Sequence, residues 1–299
     1  MKKLGHKLLV VGMSMMMYSG WGQEVAAASH IETSKQIFSW TQQPMLDYEE
    51  AATLCQALEI DEIYQYIPNA YFFDEPIAIA SFVEGIKEES GEQVEVAFLT
   101  GEPYWYSRPD IIKTRIDYLA TYNQKEGQNA PITKIVLDIE PWVLGEEVRW
   151  ENHYKATLKS IYPYAKEKGI EVSLVIPFWL DTNDKIASGN SLLRTIFDYT
   201  DEVVVMIYNR YVFDTAMDTE IKLAKEKGKR IISAAECQEV NEAYGVIEHI
   251  TYANEGLDIL QQDWNKLSKK YQYDQLGFAY HHYEAIKALV EKDKKDKKP

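Results

Sequence analysis

Two carboxylates placed two residues apart, Asp138 and Glu140, are the strongest candidates for chemistry in this chain of 299 residues. They follow the apolar run Ile135-Val136-Leu137, which has the composition of a buried strand. Side chains alternate between the two faces of a strand, so both carboxylates point the same way. Two like charges that close raise the proton affinity of one of them, which helps to keep Glu140 protonated near neutral pH. The pair therefore indicates a general acid of the kind that protonates a glycosidic oxygen. The alternative is a structural pair that holds a neighbouring Lys or Arg, or caps the next helix.

The elements that would position this pair alternate between short β-branched or aromatic segments and segments of helical periodicity. The strand segments are Gln36–Trp40, Glu62–Ile67, Val94–Thr100, Lys134–Ile139, Glu171–Ile176, Glu202–Ile207, Arg230–Ala235 and Gln275–Tyr280. The helical segments are Tyr48–Glu59, Ile77–Ser90, Pro109–Asn123, Trp150–Lys168, Ser191–Thr200, Thr215–Lys227, Asp258–Tyr271 and Tyr283–Lys292. Such alternation predicts an α/β fold, a single (β/α)8 TIM barrel. A doubly wound open sheet is the alternative, but no glycine-rich phosphate loop follows the first strand.

The chain divides into three regions. Three lysines within the first seven residues precede an apolar stretch and a run of small residues at 25–29, the pattern of a secretory signal peptide. The stretch is short for a bilayer span, although an uncleaved membrane anchor is the alternative. We therefore expect a signal peptide at 1–28, the barrel domain at 29–291 and a charged flexible tail at 292–299. The protein is expected to be secreted, with no membrane insertion after cleavage.

The net charge and the cysteine content limit the classes of partner and ligand that the protein is expected to bind. A formal net charge of −15 argues against nucleic acid and anionic membranes as partners. The two cysteines, Cys55 and Cys237, form no metal-ligand spacing and read as buried free thiols. We predict no cofactor and no metal. The 21 Tyr and 7 Trp residues suit a polysaccharide or glycan partner, because flat rings stack on sugars. The sequence gives no indication of the oligomeric state.

Barrel active sites form where strands end and βα loops begin. Carboxylates, Trp and Tyr dominate these positions. The catalytic candidates are Asp138, Glu140, Tyr208 and Glu236. The substrate-binding candidates are Trp40, Glu102, Trp105, Trp142, Trp179, Asn209, His281 and Tyr283, although each tryptophan in the βα loops could equally be a packing residue. A metal site at His281-His282 is a weaker alternative, because adjacent strand residues face opposite ways.

Two short motifs resemble the family 18 glycoside hydrolases, which include chitinases and endo-β-N-acetylglucosaminidases. The family's strand 4 ends in D-x-x-D-x-D-x-E, and Asp138 and Glu140 match its last two acidic positions. The strand 6 segment Met206-Ile207-Tyr208-Asn209 is similar to the family's M-x-Y-[DN]. The resemblance implies that Glu140 is the acid/base and Asp138 its partner. It also implies that Tyr208 and Asn209 steady an N-acetyl group, which itself acts as the nucleophile.

Two rival hypotheses use the same residues. Glu140-Pro141 also resembles the Asn-Glu-Pro of retaining cellulases and β-galactosidases, whose nucleophile is a second Glu at the end of strand 7, where Glu236 stands. That scheme needs a carboxyl separation of roughly 5 to 5.5 Å. The other rival is a barrel that binds glycans without cleaving them. Thr133 and Val136 stand at the other two acidic positions of the family 18 motif, which leaves this possibility open.

Overall fold

The computed structural model describes residues 33–145, 149–181 and 189–296. The predicted signal peptide lies outside the described residues. The strands are β1 Lys35–Ser39, β2 Glu62–Tyr66, β3 Glu95–Thr100, β4 Lys134–Leu137, β5 Glu171–Pro177, β6 Glu202–Met206, β7 Arg230–Glu236 and β8 Leu276–His281. The helices are α1 Gln43–Leu46, α2 Tyr48–Leu58, α3 Tyr71–Asp74, α4 Pro76–Ser90, α5 Pro109–Gln124, α6 Glu151–Glu167, α7 Gly189–Asp198, α8 Asp218–Lys227, α9 Leu257–Tyr271 and α10 Tyr283–Asp296.

The eight strands pair in parallel in chain order, and β8 pairs with β1 to close the barrel. Each connection between successive strands carries helical structure that covers the outside of the sheet. The predicted (β/α)8 TIM barrel is therefore confirmed, and each predicted strand ends within two residues of an observed one. Short 3-10 turns at Pro103–Ser107, Pro141–Leu144 and Glu242–Tyr244 shape the loops after β3, β4 and β7.

Alternation along each strand sorts the core into two layers. On β4, Val136 belongs to a cluster inside the barrel, whereas Ile135 and Leu137 pack outward against the helices. The buried side chains of the inner cluster are Phe38, Tyr64, Ala97, Leu99, Val136, Val175, Val204, Ile232, Ala234 and Ala279. They fill the interior, so functional side chains are confined to the two ends of the barrel.

A buried ion network lies at the N-terminal end of the barrel. The Lys134 side chain is 6% exposed, and its Nζ lies 2.5 Å from Glu62 Oε2 and 3.2 Å from Glu202 Oε2. Glu202 also accepts a hydrogen bond from the Tyr64 hydroxyl at 2.9 Å and pairs with Arg230 Nε at 3.4 Å. Burial raises the pKa of Glu62 to about 7, although Lys134 opposes the rise. A buried ion network at the N-terminal end of a TIM barrel serves stability, which leaves the opposite end for function.

The remaining sequence predictions concern the chain end, the cysteines and membrane spans. Helix α10 runs to Asp296, so the first residues of the predicted flexible tail are helical. Cys55 and Cys237 are both buried and free, and burial raises the pKa of the Cys55 thiol to about 12. Within the described ranges, no helix is long and apolar enough to cross a bilayer.

Candidate active site

Asp138 and Glu140 lie at the C-terminal end of β4. The backbone N–H of Asp138 donates to the carbonyl of Thr100 at 3.0 Å, so pairing with β3 continues as far as the first carboxylate. Gly101 follows Thr100, and a Cβ at this position would lie 1.8 Å from the carbonyl oxygen of Asp138. Only glycine lets the two strand ends approach this closely, so Gly101 sets the position of the Asp138 backbone.

The carboxyl groups of Asp138 and Glu140 lie close enough to affect each other's ionisation. Burial, the negative charge of Glu140 and a hydrogen bond between the two side chains raise the pKa of Asp138 well above its usual range. The sequence predicts that Glu140 holds the extra proton, whereas the raised pKa is that of Asp138. Its Oδ1 is shielded from solvent and has no hydrogen-bond partner among the described residues. Such a pair suits acid–base chemistry, because one carboxyl group can hold a proton while the other is ionised.

Trp142, in the turn that follows β4, contacts the carboxylate of Glu140. Its indole Nε1–H donates to Glu140 Oε2 at 3.0 Å. The indole ring in turn meets Trp150 and Trp179 edge to face, with ring centroids 5.9 Å and 5.6 Å away. Such edge contacts fix the orientation of a ring. Trp142 therefore restrains the Glu140 carboxylate through a hydrogen bond.

Tyr208 connects the carboxylate pair on β4 with the carboxylate on β7. Burial, together with the negative charges of Glu236, Asp138 and Glu140, raises the pKa of its hydroxyl well above the usual range. The three carboxyl groups that sequence analysis singled out therefore all lie within electrostatic reach of this phenol. Tyr208 remains protonated and can donate a hydrogen bond to a bound ligand.

Glu236 is held as a carboxylate by four donors. Its Oε1 accepts from the backbone N–H groups of Cys237 and Gln238, at 2.9 Å and 2.8 Å. Its Oε2 accepts from Gln238 Nε2 at 3.1 Å and lies 2.9 Å from His281 Nδ1. Burial alone would raise the pKa of Glu236, but the hydrogen bonds from His281 and Gln238 outweigh it and lower the pKa. The end of β7 therefore carries a fixed negative charge.

His281 joins Glu236 to the first strand. Its Nε2 accepts a hydrogen bond from Trp40 Nε1 at 3.3 Å, while Nδ1 faces the Glu236 carboxylate. These two contacts suit the Nδ1–H tautomer of the imidazole. The imidazole ring also lies 5.6 Å from the Tyr208 ring, in a tilted arrangement. Residues from β1, β6, β7 and β8 thus form one connected wall of the barrel mouth.

The other predicted substrate-binding residues divide into those that reach solvent near the strand ends and those that are buried in the core. Trp179 packs at the mouth against Trp142, and Asn209 follows Tyr208 with its Oδ1 accepting from the Tyr211 N–H at 3.0 Å. Glu102 is exposed at the end of β3. Trp105 is only 4% exposed and Tyr283 is fully buried. Neither of the last two offers a ring face to a sugar.

Sequence reasoning missed two contributors to the site, Gly101 and Tyr154. The Tyr154 hydroxyl of α6 donates to the carbonyl of Ile139, between the two carboxylates, at 3.3 Å. The position of Gly101 directly after a strand was a readable signal, since such glycines mark close backbone approach. Within the described ranges, no three His, Cys, Asp or Glu side chains come together as metal ligands.

Comparison with known proteins supports the fold. No family model matches the chain, and no curated protein matches its sequence. A family 18 chitinase from Pseudoalteromonas aurantia is similar in structure, with a TM-score of 0.54 at 12% identity over 87% of this chain and 99% of that one. A chitinase from Chromobacterium violaceum gives 0.52 at 13% identity, over 87% and 98% of the two chains. A psychrophilic family 10 endo-β-1,4-xylanase gives 0.53 at 12% identity, over 84% and 87%. The distant resemblance to family 18 barrels is confirmed at the level of the fold.

Proposed function

We propose that the protein is a retaining glycoside hydrolase acting on an N-acetylhexosamine-containing glycan. The observation that carries this proposal is the pairing of the solvent-shielded Asp138 carboxyl with Glu140, within electrostatic reach of the Tyr208 hydroxyl. Such a pair supplies an acid for the leaving oxygen and a carboxylate for the developing positive charge. Its place at the C-terminal end of a barrel strand, where such barrels carry their active sites, supports the same conclusion.

In the proposed mechanism, Asp138 passes a proton to Glu140, and Glu140 delivers it to the glycosidic oxygen. The acetamido oxygen of the substrate attacks the anomeric carbon as the leaving group departs, and Asp138 stabilises the positive charge that forms. The Tyr208 hydroxyl donates a hydrogen bond to the acetamido group and holds it in place. Glu140 then removes a proton from the water that opens the intermediate, so the anomeric configuration is retained.

Glu236 is assigned an electrostatic role. About four lone-pair positions exist on a carboxylate, and four donors already face those of Glu236. Nucleophilic attack through either oxygen would have to break one of these hydrogen bonds. A fixed anion instead stabilises positive charge on the sugar ring without any rearrangement. This favours the substrate-assisted scheme over one in which Glu236 is the nucleophile.

The proposal is tested by incubating the protein with chitooligosaccharides, β-1,4-glucan and peptidoglycan fragments. We expect hydrolysis of an N-acetylated substrate with the β-anomer formed first in NMR spectra. Glu140→Gln and Asp138→Asn should each reduce kcat by more than about a hundredfold, the lower range for loss of an acid–base group. Glu88→Gln, which changes an exposed carboxylate on helix α4 outside the barrel, is the matched control and should retain activity.

Two other outcomes would reassign the site. Hydrolysis of β-1,4-glucan, with covalent labelling of Glu236 by a fluorosugar, would establish the cellulase-type mechanism instead. Binding of the same glycans without any hydrolysis would identify a glycan-binding barrel. Retained activity in a folded Glu140→Gln protein would remove the acid/base assignment altogether.

We further propose that the chain is exported and cleaved after Ala28. The lysine-rich start, apolar stretch and small residues of its first 29 positions support this. Expression of the full chain in a secreting host should yield soluble protein in the medium whose N-terminal sequence begins at Ser29. Retention of the intact chain in the membrane fraction would favour the uncleaved anchor.

A further inference from the structure

An exposed tyrosine and a half-buried histidine form an aromatic pair on the two loops that follow β6 and β7. The Tyr211 side chain is 79% exposed, yet its ring lies parallel to the imidazole of His249. The ring centroids are 5.0 Å apart and the planes differ by 14°. His249 therefore covers one face of the tyrosine, and the opposite face is open to solvent. An exposed Tyr side chain ordinarily has no such support from a second ring.

The backbone beneath this pair is braced between the two loops. Arg210 N–H donates to the His249 carbonyl at 2.9 Å, and Arg210 Nη2 donates to the Glu248 carbonyl at 3.1 Å. The guanidinium also pairs with Glu255 at 2.5 Å. The residues on either side of the stacked rings are thus tied together by three contacts from one arginine. Little conformational entropy remains to be lost when a ligand packs on Tyr211.

The pair is continuous with the candidate active site. Tyr211 follows Tyr208 and Asn209 in the chain, and its N–H donates to Asn209 Oδ1 at 3.0 Å. The second loop returns to the site at its far end, where the Tyr252 N–H donates to the Glu236 carbonyl at 2.9 Å. Both loops therefore begin or end at residues that line the barrel mouth.

We propose that the open face of Tyr211 is a sugar-binding subsite for an outlying pyranose unit of a β-linked oligosaccharide. The C–H face of a pyranose is apolar and flat, and it packs well on a rigid aromatic ring. The subsite rests on the proposed function for the identity of the glycan, but it requires binding only and no hydrolysis. It would extend the contact surface from the carboxylate pair along the β6 and β7 loops. Longer oligosaccharides should gain affinity from it, whereas the shortest should not.

The test uses the full-length Glu140→Gln protein, which holds its ligand without turnover. Affinities for chitooligosaccharides of increasing length, and for peptidoglycan-derived oligomers, are measured by calorimetry. Tyr211→Ala should weaken binding of the longest oligomers about fivefold to tenfold, as the loss of one aromatic contact predicts. Its effect on the shortest bound oligomer should be less than about twofold. Tyr211→Phe should restore the length dependence, because the ring and its stacking remain.

Tyr244→Ala is the matched control. Tyr244 is 85% exposed in the same β7 loop, and no stacked ring supports it among the described residues. We expect this variant to bind as the parent does. Equal affinities for Tyr211→Ala and its parent at every length would overturn the subsite, as would equal losses in the two alanine variants or no binding of any oligomer. Failed hydrolysis by the wild type with Tyr211-dependent binding would instead overturn only the catalytic part of the proposed function.

Discussion

The indole N–H of Trp142 donates to Glu140 Oε2 at 3.0 Å, so the proposed acid/base carries a second hydrogen bond besides the one it shares with Asp138. Since Trp150 and Trp179 contact the ring edge to face, the donor has a defined direction. A carboxylate restrained from two sides keeps its reactive oxygen in one place. Correct placement of an acid/base group is a large part of its catalytic effect.

Trp142→Phe should therefore lower kcat/KM by about tenfold or more in a protein that still folds. A hydrogen bond to a charged group contributes about 1.5–3 kcal/mol, which corresponds to at least a tenfold rate effect. Trp150→Phe is the control, because phenylalanine keeps an aromatic edge against Trp142, and it should cost less than about threefold. Equal losses in the two variants would show that Trp142 acts through ring packing alone.

Asp138→Asn should stabilise the protein above neutral pH even as it removes activity. The pKa of Asp138 is raised by burial and by Glu140, so ionisation of its carboxyl opposes folding. The wild type therefore loses stability as pH rises above the ordinary Asp pKa, while asparagine stays neutral throughout. Denaturant unfolding should show an advantage of about 1 kcal/mol for the variant at pH 8, shrinking towards pH 4. A constant difference across that range would contradict the raised pKa.

The pKa of Glu284 is lowered, whereas that of Asp138 is raised, so protonation of Glu284 should make the protein less stable in acid. Its side chain accepts hydrogen bonds from His282 and Thr41, which lower its pKa to about 2 against a smaller opposing effect of burial. This stabilisation is present above the ordinary Glu pKa and is lost as pH falls from about 4.5 towards 2. Because the side chain is 37% exposed, we expect only about 1 kcal/mol after solvent screening. Glu284→Gln should be less stable than the wild type at pH 6, and the two should converge near pH 2.

Gly101→Ala should be severely destabilising, because its Cβ would overlap the carbonyl oxygen of Asp138. We expect a loss of more than about 3 kcal/mol in the free energy of unfolding, as for other changes that force backbone displacement in a core. Gly91→Ala is a matched control, since Gly91 has φ +66 and nothing within 4 Å of its would-be Cβ. Backbone strain alone should cost about 1 kcal/mol there. Similar losses at the two positions would show that β3 and β4 separate easily.

The sequence predicts the barrel well, because strands buried on both faces need uninterrupted β-branched and aromatic residues. The run Ile135-Val136-Leu137 and the helical periodicity of 109–123 both reflect that requirement. The boundary at Lys292 was less predictable. Alternating Lys and Asp residues are compatible with a solvated tail and with the exposed last turns of a helix. In the structure these residues form the last turns of α10.

The candidate site was predictable only in part. The alternation rule brings Asp138 and Glu140 to one side of β4 because the rule depends on neighbours in the chain. The contact between Glu236 and His281 depends instead on the register of β7 against β8, which barrel closure decides. The burial of Trp105 follows from how its turn packs beside α5, and residue type alone does not distinguish a buried tryptophan from an exposed one.

The four donors around Glu236 have a consequence for inhibitor design. A carboxylate held by backbone amides cannot easily take up a proton or turn away, so the mouth presents a permanent negative potential to any ligand. Iminosugars that carry a protonated nitrogen should therefore bind more tightly than neutral lactams of the same shape. Sugar acids of that shape should bind most weakly. The charge of such a compound would then affect its affinity more than small differences in its shape.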